Sequence, residues 1–255
     1  MHDTANAHGR EFFALYWQPH FRDVVELGSQ DVNGSLRAHA PATAHYLGLD
    51  AVAGPGVDLV VTQGEPLPLA DACADVVVTS SALEHDPCFW DTFLELVRLL
   101  RPGGLLYINA PSNHAFHRYP VDCWRFYPDA GMALATWAQR RGMALELVES
   151  FNARPGAQGW SDFVAIFRKP GPALVRRGRL GHPGAAGDTQ NGFDIASAGL
   201  LDESADTFDM RALAQLRDQL QACERERDAL RARLARTEGE LARAYDAIVA
   251  LKPAP

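Results

Sequence analysis

The chain has 255 residues, 47% of them apolar and 22% charged, and 24 Lys plus Arg against 32 Asp plus Glu leave a net charge of -8. This is a globular composition, and its acidic body disfavours a phosphate backbone, so no nucleic-acid partner is expected. No apolar run approaches the ~20 residues that cross a bilayer, and four Cys without a C-x-x-C pair, behind a polar start with no signal core, point to a reducing, cytoplasmic setting.

In chain order, short β-branched runs at residues 23–27, 45–50, 57–61, 75–79 and 104–110 alternate with longer amphipathic stretches, which predicts parallel βαβ units. Between the last two runs, Phe89, Phe93, Val97 and Leu100 share one helical face, and Arg101-Pro102-Gly103-Gly104 ends that helix. A further helix is expected over 128–141, with strands at 144–150 and 163–167, so the α/β domain spans 1–169. Residues 170–209 open rich in Gly and Pro and read as a flexible linker. Over 210–252 a heptad frame runs through Leu213, Leu216, Leu220, Cys223, Arg227, Leu230, Leu234, Thr237, Leu241, Ala244, Ile248 and Leu251. So narrow an apolar seam flanked by charge predicts a coiled-coil helix that joins copies of the chain or captures a partner protein. The competing arrangement is one long helix folded back on its own domain.

The first run ends in Glu26-Leu27-Gly28-Ser29, and a Gly directly after a strand lets the backbone turn tightly beneath a ligand, with the N–H groups of a following helix facing it. The G-x-G-x-x-G fingerprint of dinucleotide enzymes is absent, because only Gly28 and Gly34 are present, which places a nicotinamide-dependent oxidoreductase last among the readings. The second run ends in Asp50, where a carboxylate can accept both ribose hydroxyls of a nucleoside lying across the strand ends. His114 and His117 lack a second spaced pair, so no metal site is expected, and the absence of Gly-x-Ser-x-Gly leaves hydrolase chemistry unsupported.

Taken in order, Glu26-Leu27-Gly28, Tyr46-Leu47-Gly48-Leu49-Asp50, Leu67-Pro68-Leu69-Ala70-Asp71, Asp75-Val76-Val77-Val78, Leu83-Glu84-His85 and Leu100-Arg101-Pro102-Gly103-Gly104 resemble the class I S-adenosylmethionine-dependent methyltransferases of the type 11 branch over about residues 20–169. The resemblance implies a Rossmann-like, seven-stranded, mostly parallel α/β sheet with an antiparallel last strand, and S-adenosylmethionine over the strands' carboxyl ends. It assigns Glu26, Gly28 and Ser29 to the methionine end of the cofactor and Asp50 to the ribose. Gln63 falls where the family often has an Asp facing the adenine amino group, Ser80 lines the cleft, and Leu83-Glu84-His85 closes it. His85 follows the fourth strand and is a candidate base. The run from Asn113 to Pro128 is similar to one in methyltransferases of bacterial glycan and polysaccharide pathways, which implies a glycan or related small-molecule acceptor. There, His117 and Asp122 would orient or deprotonate a hydroxyl while Tyr119 and Trp124 stack on a sugar, unless Asp122 and Arg125 simply pin the loop. The rival to an enzyme is a non-catalytic scaffold acting through its coiled coil.

Overall fold

A computed structural model describes residues 2–181 and 189–250. The chain divides into two compact units, Met1–Ala205 and Asp206–Pro255. The first is built from helix α1 (Asp3–Tyr16), strand β1 (Asp23–Leu27), β2 (His45–Asp50), β3 (Leu59–Val60), β4 (Ala74–Ser80), helix α2 (Phe89–Leu99), β5 (Leu100–Pro111), α3 (Ala130–Arg140), β6 (Glu146–Ala153), β7 (Asp162–Arg168) and β8 (Thr189–Asp194). The strands form one mixed sheet in the order β3-β2-β1-β4-β5-β7-β6-β8. The first five are parallel, and β7 runs antiparallel between β5 and β6.

Alternation along the central strands explains why they read as continuous apolar runs. Val77, Leu106 and Ile108 face a core with Phe93, Leu96 and Val97 of α2 and Leu134, Ala135 and Ala138 of α3. Val76, Val78, Leu105 and Tyr107 face the opposite core, with Phe12, Phe13 and Tyr16 of α1. Helices cover both faces, so both sets of side chains must be apolar. Helix α1 is not among the expected elements, because residues 1–10 are mostly polar and its large buried side chains, Phe12, Phe13 and Tyr16, gather at its far end.

Two expectations change. The segment read as a flexible linker supplies an eighth strand, β8, paired antiparallel with β6. Phe193 packs on the core, and polar contacts also hold the strand: Arg176 Nη1 and Nη2 donate to Asp194 at 2.5 and 2.8 Å. Ahead of it, Leu180 is fully buried, and Glu149 accepts from the backbone of Leu180 at 3.1 Å and of Gly181 at 2.5 Å. Residues 182–188 of that segment lie outside the described residues. The helix expected after Gly28 is also replaced, here by a single 3-10 turn, Leu36–His39. Ser35 Oγ caps it by accepting from Arg37 N at 3.2 Å, and Pro41 ends it because the residue before a proline is pushed out of the helical region.

The second unit carries helix α4, Phe208–Ala250, with no buried side chain. Every heptad position from Leu213 to Ile248 falls on it, and Leu251 lies outside the described residues. No helix among the described residues is long and apolar enough to cross a membrane.

Candidate functional site

The strand order turns outward in opposite directions from β1 and β4, and the loops leaving their carboxyl ends frame a crevice, the place where open α/β sheets bind ligands. Gly28 makes the turn out of β1 at φ +84°, and its N–H and that of Ser29 donate to Leu49 O at 2.9 and 3.1 Å. A Cβ on Gly28 would stand 2.7 Å from the Ala82 Cβ, so the turn presses directly on the loop after β4. Gly28→Ala is expected to cost about 2 kcal/mol, combining left-handed strain with this clash. Gly64→Ala is the control in the same urea titration. It shares φ +84° but faces open space, and is expected to cost about 1 kcal/mol, the strain alone.

Glu26 is 3% exposed. Burial pushes its carboxyl up to about 7, against the hydrogen bond from Tyr46 and the nearby Arg37, with Asp50 and Asp31 adding repulsion. The Tyr46 hydroxyl donates to it at 2.8 Å. Asp50 accepts from Gln30 N at 3.0 Å and Val52 N at 3.2 Å, so it shapes both connections beside it. The Gln63 amide nitrogen donates to His85 O at 3.1 Å. The side chain of Ser29 does not point to the crevice in a simple way: its hydroxyl packs where a Cβ on Gly48 would fall, 2.6 Å away. Ser80 is buried at the end of β4. Among the described residues, the hydroxyls of Ser29, Thr79, Ser80 and Ser81 and Oε2 of Glu84 have no hydrogen-bond partner. That many orphaned buried polar atoms beside one crevice is the mark of a ligand-binding floor.

Next to it lies a cleft of about 540 Å³ whose walls include His2, Asn33, Ser81, Glu84, His117 and Trp160. Of the candidate catalytic residues, His117 lines this cleft, together with Glu84 of the Leu83-Glu84-His85 segment expected to close it, while the His85 ring stands 4.9 Å from that of His117. His85 Nδ1 lies 2.5 Å from Val121 O, and its Nε2 lies 3.6 Å from Glu84 Oε1. Glu84 is 1% exposed, and burial pushes its carboxyl up to about 8 despite a backbone hydrogen bond and Arg125. Burial lowers His117, against the neighbouring Asp122.

Asp122 does not face the cleft as a free carboxylate. Arg125 grips it through two nitrogens at 2.6 and 2.8 Å, and it accepts from His117 N at 2.7 Å. The Arg125 hydrogen bond holds its carboxyl down to about 2 against the effect of burial. Trp124 is likewise packed rather than offered: Nε1 donates to Asp86 O at 2.8 Å, and its ring meets Phe89 and Trp90. Tyr119 remains exposed and reaches across the crevice to Gln30 Oε1 at 2.8 Å.

Sequence reasoning missed the far wall. His2 Nε2 and His8 Nδ1 of the α1 region meet the fully buried Asp162 of β7 at 2.5 and 3.2 Å. Burial raises the Asp162 carboxyl, but these two hydrogen bonds outweigh it and hold it below the usual range. Trp160 is sandwiched at 5.0 Å from the His2 ring and 4.1 Å from the His114 ring. The 160-residue separation of His2 and Asp162 leaves no local signal.

Residues 10–108 match the model of a methyltransferase domain family. An uncharacterized methyltransferase of Mycobacterium ulcerans (strain Agy99) is 40% identical over 65 residues, 26% of this chain and 25% of that one. One of Mycobacterium avium (strain 104) is 37% identical over 79 residues, 27% of this chain and 31% of that one. The matched region is thus about a quarter to a third of the length of these curated relatives. The family match and these relatives make residues 10–108 similar to a methyltransferase domain. Among solved structures, the 1,6-didemethyltoxoflavin-N1-methyltransferase of Burkholderia thailandensis, with bound 1,6-didemethyltoxoflavin and S-adenosylhomocysteine, has TM-score 0.48 at 18% identity, covering 66% of this chain and 77% of that one. A complex of the Haloferax volcanii Trm112 methyltransferase activator with a methyltransferase gives TM-score 0.48 at 16% identity, covering 67% and 92%.

Proposed function

We propose that this protein is an S-adenosylmethionine-dependent methyltransferase that methylates a hydroxyl of a glycan precursor or related small metabolite. The observation that carries the reading is the pair of carboxylates, Glu26 and Asp50, at the ends of adjacent strands on either side of the Gly28 turn, beside a floor of orphaned hydroxyls. The residues fit the cofactor. Glu26 would face the methionine ammonium, the turn at Gly28 and Ser29 would lie beneath the methionine end, and Asp50 would take the ribose hydroxyls. With its amide nitrogen on His85 O, Gln63 keeps an amide oxygen as acceptor for the adenine amino group. Ser80 would complete the floor. When bound, S-adenosylmethionine supplies a methyl already activated on a sulfonium. The chain therefore has only to seat the acceptor in line and manage the hydroxyl proton.

His117, at the cleft, and His85 beside it are the imidazoles proposed for that task, since His2, also at the cleft, is engaged by Asp162, and Asp122 acts on the acceptor only through His117. The exposed ring of Tyr119, held to Gln30 across the crevice, offers an aromatic face that suits a sugar. Gly28 against Ala82, Gln63 on His85 and Tyr119 on Gln30 tie the cofactor half to the acceptor half.

The test is parallel calorimetric titration with S-adenosylmethionine, S-adenosylhomocysteine and NAD. Micromolar binding of the first two and none of NAD is expected. A folded sample that binds none of the three would instead make the chain a scaffold.

The α4 seam supports a further part of the same reading, that residues 210–252 form a coiled coil between copies. Its Leu and Ile heptad side chains from Leu213 to Ile248 are 49% to 71% exposed, an apolar stripe that a second helix would bury. In sedimentation, Leu220→Arg with Leu234→Arg in the full chain is expected to turn an oligomer into a monomer. A monomeric unmodified chain would remove this part.

A further inference from the structure

We propose that Glu84, His85 and His117 bind one divalent transition-metal cation of the zinc type at the inner wall of the cleft. Each of the three offers a ligand atom, and these atoms lie within 4.8 Å of one another. The His85 Nε2 to Glu84 Oε1 separation of 3.6 Å is already close to the edge of a tetrahedral site, about 3.4 Å for bonds of about 2.1 Å. The widest edge has to close by about 1.4 Å, a side-chain rotation on a loop rather than a backbone rearrangement.

The surroundings prepare the three groups as ligands. Val121 O is only an acceptor, so the His85 nitrogen 2.5 Å from it carries the proton, and Nε2 turns its lone pair toward Glu84. On the other imidazole, Nδ1 makes no hydrogen bond among the described residues and lies 3.3 Å from Asp122 Oδ2, a carboxylate that Arg125 holds in place. The carbonyl on His85 Nδ1 is the kind of outer-shell partner that metal-bound histidines commonly have. Glu84, nearly fully buried, has an oxygen without a hydrogen-bond partner among the described residues. A buried carboxyl left in that state is costly, and a cation would offset the cost. Cys123 N donates to Glu84 O at 2.7 Å, which clamps the loop carrying His117 onto the turn carrying Glu84 and His85.

Two imidazoles and one carboxylate suit zinc and its neighbours better than magnesium or calcium, which prefer all-oxygen shells. Three protein ligands leave a fourth position, as in catalytic rather than structural sites. Glu84 and His117 both line the cleft, so that position faces the acceptor. The spacing hid the site, since an adjacent Glu-His pair and a His 32 positions on (117 − 85) match no zinc pattern.

Binding of the ion stands on geometry alone. Its use, to hold an acceptor oxygen, rests on the methyltransferase reading and would make His85 and His117 ligands instead of bases.

The experiment is calorimetric titration of the chelator-treated full chain with zinc, manganese and magnesium chlorides, without S-adenosylmethionine. One site per chain is expected for zinc, tighter than for magnesium, with His117→Ala and Glu84→Gln each weakening it about 100-fold. His85→Gln serves as the milder variant, and cobalt substitution as a second readout, with a visible absorption that the variants lose. No zinc binding by folded protein, or binding unchanged in all three variants, overturns the proposal. Zinc binding by a chain that does not bind S-adenosylmethionine would leave this site standing and remove the methyltransferase reading, and the opposite pattern would do the reverse.

Discussion

Replacing Asp50 by Ala is expected to weaken S-adenosylmethionine binding by at least about 100-fold while the chain stays folded. A hydrogen bond to a charged acceptor contributes about 1.5–3 kcal/mol, and losing two to the ribose hydroxyls removes about 3–6 kcal/mol. Asp50 also accepts from Gln30 N and Val52 N, so the substitution loosens the loop that carries Gly28 and Ser29. Asp50→Asn separates the two contributions. It keeps one acceptor oxygen and nearly the same shape but drops the charge, and an intermediate loss of about tenfold is expected. Calorimetric titration reads the affinity, and a circular dichroism melt checks the fold. An Ala variant that binds as tightly as the unmodified chain would remove Asp50 from the ribose role.

Where side chains announce their own surroundings, the sequence was readable. Val76, Val77 and Val78 read as a strand buried on both faces because helices cover both faces of the sheet there. Phe93 and Val97 repeat at helical spacing because α2 rests on that sheet. The family resemblance placed β7 antiparallel, and it also named Glu26, Gly28 and Asp50, which do lie at the carboxyl ends of β1 and β2. Strand β8 was not readable, since Thr189, Gln190 and Asp194 are buried by pairing and by Arg176 rather than by apolar character. The 3-10 turn after Gly28 was missed for a different reason: a Gly closing a strand implies a helix next, and Pro41 stops it early. The juxtaposition of Glu84, His85 and His117 is a product of tertiary folding, with loops after two different strands meeting over the cleft. The wall of His2, His8 and Asp162 has the same origin.

Glu26 carries the other large effect, and its burial gives that effect a pH signature. With its carboxyl pushed up to about 7, close to half of the free chains hold a proton on Glu26 at neutral pH. An ammonium group beside it favours the carboxylate, so binding is expected to release up to about half a proton per cofactor at pH 7. Calorimetric enthalpies measured in buffers of different ionisation enthalpy report that release directly. Affinity should rise with pH toward 8 and fall, by up to about tenfold per pH unit, below 7.

Stability of the free chain runs the other way. The folded pKa lies above the ordinary 4.5, so the contribution of Glu26 is fully present below 4.5 and is lost as pH rises through about 7. The loss amounts to about 3 kcal/mol at most. Because burial also raises Glu84 and Glu149, the part owed to Glu26 is the difference between the unmodified chain and Glu26→Gln. In Glu26→Gln the buried charge is gone, the Tyr46 hydroxyl still has an oxygen to donate to, and the ammonium loses its partner. That variant is expected to be at least as stable above pH 7, to bind S-adenosylmethionine about 100-fold more weakly, a loss of about 2.7 kcal/mol, and to release no proton. Proton release that survives in Glu26→Gln would move the titrating group, and with it the methionine end of the cofactor, elsewhere in the crevice.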